Sequence, residues 1–206
     1  MKKIRILIAD DHAVLRMGLS ALFSTQKDLE VVGQSCDGEA AVRDAALLKP
    51  DVVVMDLMMP KKDGGEAIVE IRRQCPDTRI IVLTSCSTSD GLAQAIRAGA
   101  LGVVMKSAEN AEIITAIRKA ASGERYITGE VEDLLKNDPP IRELSKRQSE
   151  VLQSLSLGLS NKDIALQLGI ANRSVEEHIN ALFSKLGAAN RTEAVAIALR
   201  KHLLKI

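Results

Sequence analysis

Ile4-Arg5-Ile6-Leu7-Ile8-Ala9-Asp10-Asp11 decides the fold. An aliphatic run that barely alternates with polar residues marks a strand covered on both faces, as in a parallel sheet. The same form recurs at Val52–Met55, Arg79–Thr84 and Gly102–Met105, and more weakly over 30–35. Helical spacing fills the intervals. Leu15, Leu19, Leu22 and Phe23 share one face of the first helix, and segments 64–73, 90–98 and 111–121 show similar periodicity. Gly99 and Gly123 stand where helix C-caps belong. Five strands alternating with five helices predict a flavodoxin-like α/β domain, with a doubly wound five-stranded parallel sheet over residues 1–122.

Residues 123–141 read as a linker, because they hold Gly129, an acidic stretch and Pro139-Pro140, with room for a short helix near 131–136. From Leu144 the pattern is purely helical. Four short segments separated by Gly158, Gly169 and Gly187 make a second, all-α domain over 142–206. Ser145 with Gln148, and Ser160 with Asp163, are capping-box pairs opening its first two helices. Val175, Ile179, Leu182 and Leu186 define the buried face of the third, which leaves Arg173, Glu176, Glu177 and Asn180 on its other side. A short helix, a glycine-containing turn over 168–172 and a longer helix read as a helix-turn-helix. A small helical dimerisation bundle has the same periodicity.

With 206 residues, 46% apolar and 27% charged, the chain has material for two globular domains with proper cores. Its only aromatic residues are Phe23, Tyr126 and Phe183, which argues against binding by base-stacking platforms. Cys36, Cys75 and Cys86 are an odd number at no metal-ligand spacing and read as reduced, mostly buried thiols. The first apolar run ends at Asp10-Asp11, too soon for a signal peptide, and no run approaches a membrane span. The expectation is a cytoplasmic protein with no membrane partner. The net charge of +1 conceals an asymmetry: residues 1–122 hold 16 Lys+Arg and 16 Asp+Glu, 123–141 hold two and five, and 142–206 hold ten and six. The mildly basic C-terminal piece is compatible with nucleic acid.

In an open parallel sheet, functional groups gather at the carboxyl ends of the strands. Asp10 and Asp11 follow the first strand, Asp56 the third and Lys106 the fifth, while Thr84 ends the fourth. Alone, an Asp after a strand is commonly a turn or cap residue, and a Lys there is commonly solvated; five such residues converging on one place are a site. Crowded carboxylates repel one another unless a cation sits among them. Magnesium suits a few carboxylates, retained waters and phosphate oxygens, and Lys106 and Thr84 supply an ammonium and a hydroxyl for the same oxygens. Asp56, alone on the central strand, is then the nucleophile that forms an acyl phosphate.

Ile8-Ala9-Asp10-Asp11-His12, Met55-Asp56-Leu57-Met58-Met59-Pro60 with Asp63-Gly64, the strand ending in Thr84-Ser85, and Gly99-Ala100-Leu101-Gly102-Val103-Val104-Met105-Lys106 resemble the receiver domain of bacterial two-component response regulators. The resemblance implies that Asp56 is the phosphoacceptor, Asp11 a direct magnesium ligand, Asp10 an acid acting largely through water and Met58 the donor of a backbone carbonyl ligand. It also implies that Thr84 and Lys106 bind the phosphoryl group. The family often has Tyr or Phe three residues before the lysine, where this chain has Val103. A smaller shift at Val103, or transmission through the helix over 90–98, takes the place of the moving ring.

Leu144-Ser145-Lys146-Arg147, Glu150-Val151-Leu152, Gly158-Leu159-Ser160-Asn161-Lys162-Asp163-Ile164-Ala165, Ser174-Val175-Glu176-Glu177-His178, Lys185-Leu186-Gly187 and Asn190-Arg191-Thr192 resemble the LuxR-type output domain of the NarL/FixJ family. That likeness implies a third helix entering the major groove of double-stranded DNA, a fourth pairing with a second copy, and a sensor histidine kinase as phosphoryl donor. Where the family commonly has Thr-Val-Lys and a later basic residue, this chain has Ser174-Val175-Glu176 and Asn180. Glu176 and Glu177 lower attraction to phosphates; they either read cytosine or serve the helix N-terminal dipole. Asn180 is suited to adenine, while Lys162, Arg173 and Arg147 are left to hold the backbone. Phosphorylation of Asp56 would then control transcription by a dimer. A phosphorylation-dependent protein-interaction regulator is the alternative. An aspartate-nucleophile phosphohydrolase would need an acid two residues after Asp56, where Met58 stands.

Overall fold

The computed structural model describes residues 2–85, 88–140, 144–201, 203 and 204. They form two compact units, Met1–Asp138 and Pro139–Ile206.

The first unit alternates β1 (Ile4–Ala9), α1 (Ala13–Ser24), β2 (Leu29–Ser35), α2 (Gly38–Leu48), β3 (Val52–Met55), α3 (Gly64–Gln74), β4 (Arg79–Thr84), α4 (Ser89–Ala98), β5 (Gly102–Met105) and α5 (Asn110–Ala121). All strands run parallel in the order β2-β1-β3-β4-β5, with one more strand beyond. Successive side chains of a strand face opposite sides, and the aliphatic runs use both. Leu7, Ala9, Val53, Met55, Ile80 and Val82 pack under α2, α3 and α4. Ile6, Ile8, Val52, Val54, Ile81 and Leu83 pack under α1 and α5, where Phe23 and Ile117 are fully buried. Two-sided coverage is the reason these strands show no polar alternation. Asp37 and Asp63 cap α2 and α3 by accepting from the N–H groups of Ala40 and Glu66. Gly99 ends α4 at φ 110, a left-handed conformation that lacks a penalty only in glycine.

Among the described residues the sheet has six strands rather than five. β6 (Tyr126–Ile127) pairs in parallel with Gly102 and Val103 of β5. A Cβ on Gly102 would stand 2.9 Å from the Tyr126 carbonyl oxygen, so the glycine lets this edge close. α6 (Gly129–Asn137) follows and places Val131, with no exposure, in the same core as Val103 and Leu92. The Ser89 hydroxyl at the start of α4 donates to Asp138 Oδ2 at 2.8 Å. Most of the expected linker over 123–141 therefore packs on the first unit, and the short helix expected near 131–136 is the middle of α6. Val131, Leu134 and Leu135, spaced 3 and 1, are the apolar stripe that holds it. The expected start of the second domain at 142 lies outside the described residues.

The second unit comprises α7 (Lys146–Ser156), α8 (Asn161–Leu168), α9 (Asn172–Leu186) and α10 (Arg191–Arg200). Both expected capping boxes are present, Ser145 with Gln148 and Ser160 with Asp163. The Ser160 hydroxyl and N–H hold the Asp163 carboxyl below its ordinary range. Gly169 and Gly187 close α8 and α9 in left-handed conformations at φ 64 and 67. Val151, Leu152, Leu155, Ile164, Val175, Leu182, Leu186, Ala194 and Ala198 form the aliphatic core. Two arginines tie its turns: Arg147 donates to the Leu168 carbonyl at 2.7 Å, and Arg191 to those of Leu155 and Leu159 at 3.1 and 2.6 Å.

The thiols differ from expectation, since Cys36 is exposed and Cys75 half-buried; Cys86 lies outside the described residues. Cys36 falls just after β2 ends, before the helix that would cover it. Among the described residues no helix is long and apolar enough to cross a membrane.

Candidate functional site

The ladder of the sheet continues one residue past three strands and fixes the site. Asp10 N–H donates to the Ser35 carbonyl, Asp56 N–H to that of Ala9 at 2.8 Å, and Lys106 N–H to that of Thr84 at 2.9 Å. The strand ends are thereby held in register, with Asp56 beside the Asp10 strand end and Lys106 beside Thr84. Gly64 completes the frame. A Cβ there would lie 2.1 Å from the Asp56 carbonyl oxygen, so the start of α3 can approach Asp56 only as glycine.

All five sequence-selected residues of this site are brought to one end of the sheet. Asp10, Asp56 and Thr84 are buried, Lys106 is half-buried, and Asp11 is exposed. Lys106 Nζ lies 2.7 Å from both Asp10 Oδ2 and Asp56 Oδ2. Burial opposes the charge on Lys106, but hydrogen bonds to Asp10 and Asp56 and attraction to both outweigh it, so its pKa stands above the ordinary lysine value. Its charge is thus kept through the neutral range. Asp56 Oδ1 accepts the Met58 N–H at 3.3 Å, and the Met58 side chain is exposed. One oxygen of each of Asp10, Asp11 and Asp56 and a nitrogen of His12 lie within 4.8 Å of one another. Three carboxylates against one ammonium leave an excess of two formal negative charges, which fits a divalent cation.

Residues outside the selected set also shape the site. His12 Nδ1 lies 2.8 Å from Asp11 Oδ1 and 3.1 Å from Asp10 Oδ1. Its place directly after the carboxylate pair was the signal available in the sequence. Arg16 donates to the Asp10 carbonyl at 2.7 Å, and Lys61 pairs with buried Asp37 at 2.6 Å. The latter contact spans 24 residues, and no local pattern announces it.

In the second unit, Arg173, Glu176, Glu177 and Asn180 are exposed on α9, Ser174 is half-buried, and Lys162 is exposed on α8. The two glutamates face their own helix. Asn172 Nδ2 donates to Glu176 Oε1 at 2.9 Å, and Arg173 Nε lies 3.4 Å from Glu177 Oε1. Arg147, half-buried, directs its guanidinium to Glu150 and the Leu168 carbonyl instead of outward.

Residues 6–118 match the family described as response regulator receiver domain, and residues 142–198 match the bacterial regulatory proteins of the luxR family. The chain is 42% identical to the transcriptional regulatory protein LiaR of Bacillus subtilis, over 98% of this chain and 99% of that one. It is 34% identical to the response regulator protein VraR of Staphylococcus epidermidis, over 98% and 99%. A solved complex of the two-component response regulator RcsB with DNA superposes with a TM-score of 0.70 at 26% identity, covering 97% of this chain and 99% of that one. Acidic strand-end cluster, capped helix-turn-helix and full-length likeness together make this chain a member of the NarL/FixJ family of two-component response regulators, with a receiver domain and a LuxR-type helix-turn-helix domain.

Proposed function

We propose that a sensor histidine kinase phosphorylates Asp56 in the cytoplasm and that the acyl phosphate controls binding of a homodimer to double-stranded DNA. The observation that carries this reading is the ammonium of Lys106 shared at 2.7 Å by Asp10 and Asp56, on the same chain as a helix-turn-helix whose first helix opens with a capping box.

In the transfer, an Asp56 carboxylate oxygen attacks phosphorus, the P–N bond to the donor histidine breaks, and the imidazole leaves with the electron pair. Lys106 exchanges its contact with Asp56 for phosphoryl oxygens, and the Thr84 hydroxyl donates to the same group. Asp10, Asp11, Asp56 and the Met58 carbonyl would hold magnesium, which neutralises charge on the transferring oxygens when bound. Met58 in the place of a second acid leaves no side chain there to activate water, so the chain acts as a phosphoacceptor and not as a turnover hydrolase.

Domain limits follow the same reading: a receiver over 1–122 extended by β6 and α6, a short joint, and a DNA-binding domain to 206. Transmission runs from β5 and α4 into α6, because buried Val103 shares a core with Val131 and Ser89 contacts Asp138. On DNA, Lys162 and Arg173 would hold phosphates, Ser174 would support them, and Glu176, Glu177 and Asn180 would meet base edges. A dimer would place two such helices on inverted half-sites about one helical turn apart.

Fluorescence anisotropy with random duplex DNA at low salt tests this. Salt-sensitive binding that strengthens with acetyl phosphate and magnesium is expected. No such binding in either state removes the DNA reading. The internal pairing of Glu176 and Glu177 favours one second reading, a phosphorylation-dependent protein-interaction regulator with weak or no DNA contact.

A further inference from the structure

We propose that Lys61 is a positioning residue for phosphorylation of Asp56: its ion pair with Asp37 holds the loop over 57–63 so that the Met58 N–H donates to the Asp56 carboxylate. The inference rests on the reading of Asp56 as the phosphoacceptor and adds to it a residue outside the strand-end cluster.

The loop is braced against α2 on one side and α3 on the other. Lys61 Nζ donates to Asp37 Oδ2 at 2.6 Å, while Asp37 Oδ1 accepts the Ala40 N–H at 2.8 Å as the cap of α2. Asp37 is buried, so its charge needs a partner, and the Lys61 ammonium provides one. The Lys62 carbonyl oxygen stands where a Cβ on Gly38 would come within 2.1 Å, and the Lys62 ammonium pairs with Glu70 of α3. Lys61 itself has φ 66, a left-handed conformation unfavourable for a lysine. A strained residue tied to a buried carboxylate 24 positions away marks a loop whose shape is held from outside.

That loop delivers one contact to the reacting group. Asp56 Oδ1 accepts the Met58 N–H at 3.3 Å, and Asp56 Oδ2 accepts from Lys106 Nζ at 2.7 Å, so the two donors together fix the plane of the carboxylate. The first bond is at the long end of the useful range, and a small outward shift of the loop breaks it. With acetyl phosphate as donor, an Asp56 oxygen attacks phosphorus, the bond from phosphorus to the acetate oxygen breaks, and acetate leaves with the electron pair. The attacking oxygen must be aligned with phosphorus for this to occur. A carboxylate that has lost its Met58 donor spends less time aligned. Lys61 therefore acts on the rate of the step rather than on capture of the donor.

Labelling of the full chain by acetyl phosphate in magnesium, followed on a phosphate-affinity gel against donor concentration, tests this. Lys61→Ala removes the pair from one end; Asp37→Asn removes it from the other and keeps a residue that caps α2. Either is expected to lower the maximal rate by about tenfold, less than the roughly hundredfold loss that a misplacement of about 1 Å can bring, with the half-saturating donor concentration unchanged. The double variant should be no slower than either single one, and Lys61→Arg, which keeps a cation, should restore most of the rate. Hydrogen exchange read by nuclear magnetic resonance should show the Met58 amide exchanging faster in both single variants while the Ala40 amide of Asp37→Asn stays protected. If Lys61→Ala does not fold, Asp37→Asn decides alone. An unchanged maximal rate, or unchanged exchange at Met58, overturns the positioning role. So does a rise in half-saturation alone, which would make Lys61 an attractor of the anionic donor. Labelling that persists in Asp56→Asn overturns the phosphoacceptor reading instead, whatever the Lys61 variants do.

Discussion

At the ends of the parallel strands, Asp10 and Asp56 are almost sealed from solvent and share one lysine. On α9, Arg173, Glu176, Glu177 and Asn180 stand in solvent, and the contacts that Arg173 and both glutamates make reach one turn along their own helix. The first site is fixed by backbone ladders from separate strands, so its chemistry is set once the sheet forms. The second is fixed by helix phase alone, and its charge pattern can be rewritten by single rotamers or substitutions. Buried, interlocked groups suit a conserved reaction step; exposed, loosely paired groups suit a surface that must distinguish targets.

The largest expected effect lies on the buried side. Asp56→Asn should reduce labelling by acetyl phosphate in magnesium to background on a phosphate-affinity gel, while leaving DNA affinity of the unphosphorylated chain unchanged. Residual stoichiometric labelling would assign the acceptor to another carboxylate and break the contrast. A smaller effect is expected where the buried core reaches beyond the family match. The fragment 1–122 should melt below 1–138, and Val131→Ala in the full chain should cost about 1–2 kcal/mol in denaturant unfolding. Equal stability of the fragments would make α6 a passive cover. On the exposed side, Glu176→Lys should strengthen binding to random duplex and steepen the dependence of log affinity on log salt by about one. An unchanged slope would place that residue away from the phosphates.

Legibility in the sequence followed the same division. Each of these site residues stands at the end of an aliphatic run, and parallel topology brings such ends together, so Asp10, Asp11, Asp56, Thr84 and Lys106 could be selected from the sequence alone. Both capping boxes could be read because they depend on residues three apart. β6 could not, since two residues are too few to show a period and Pro139-Pro140 with five nearby acids suggested a linker. The α6 stripe was present in Val131, Leu134 and Leu135, but its meaning depended on an open core beside β5. The inward turn of Arg147 and the pairing of Arg173 with Glu177 are matters of side-chain direction, which spacing along a helix leaves free.

The sixth strand has a further consequence, for the solubility of the chain. A long open sheet edge invites pairing with another molecule. Here β6 covers Gly102 and Val103 of β5 and offers only its own two residues beyond them. At the opposite edge, β2 carries a register irregularity opposite Ile6 and Leu7 and exposes Glu30 and Gln34. An irregular, partly charged strand and a two-residue strand are both poor templates for a neighbouring strand. Both edges thus deny a neighbouring chain the least selective kind of contact.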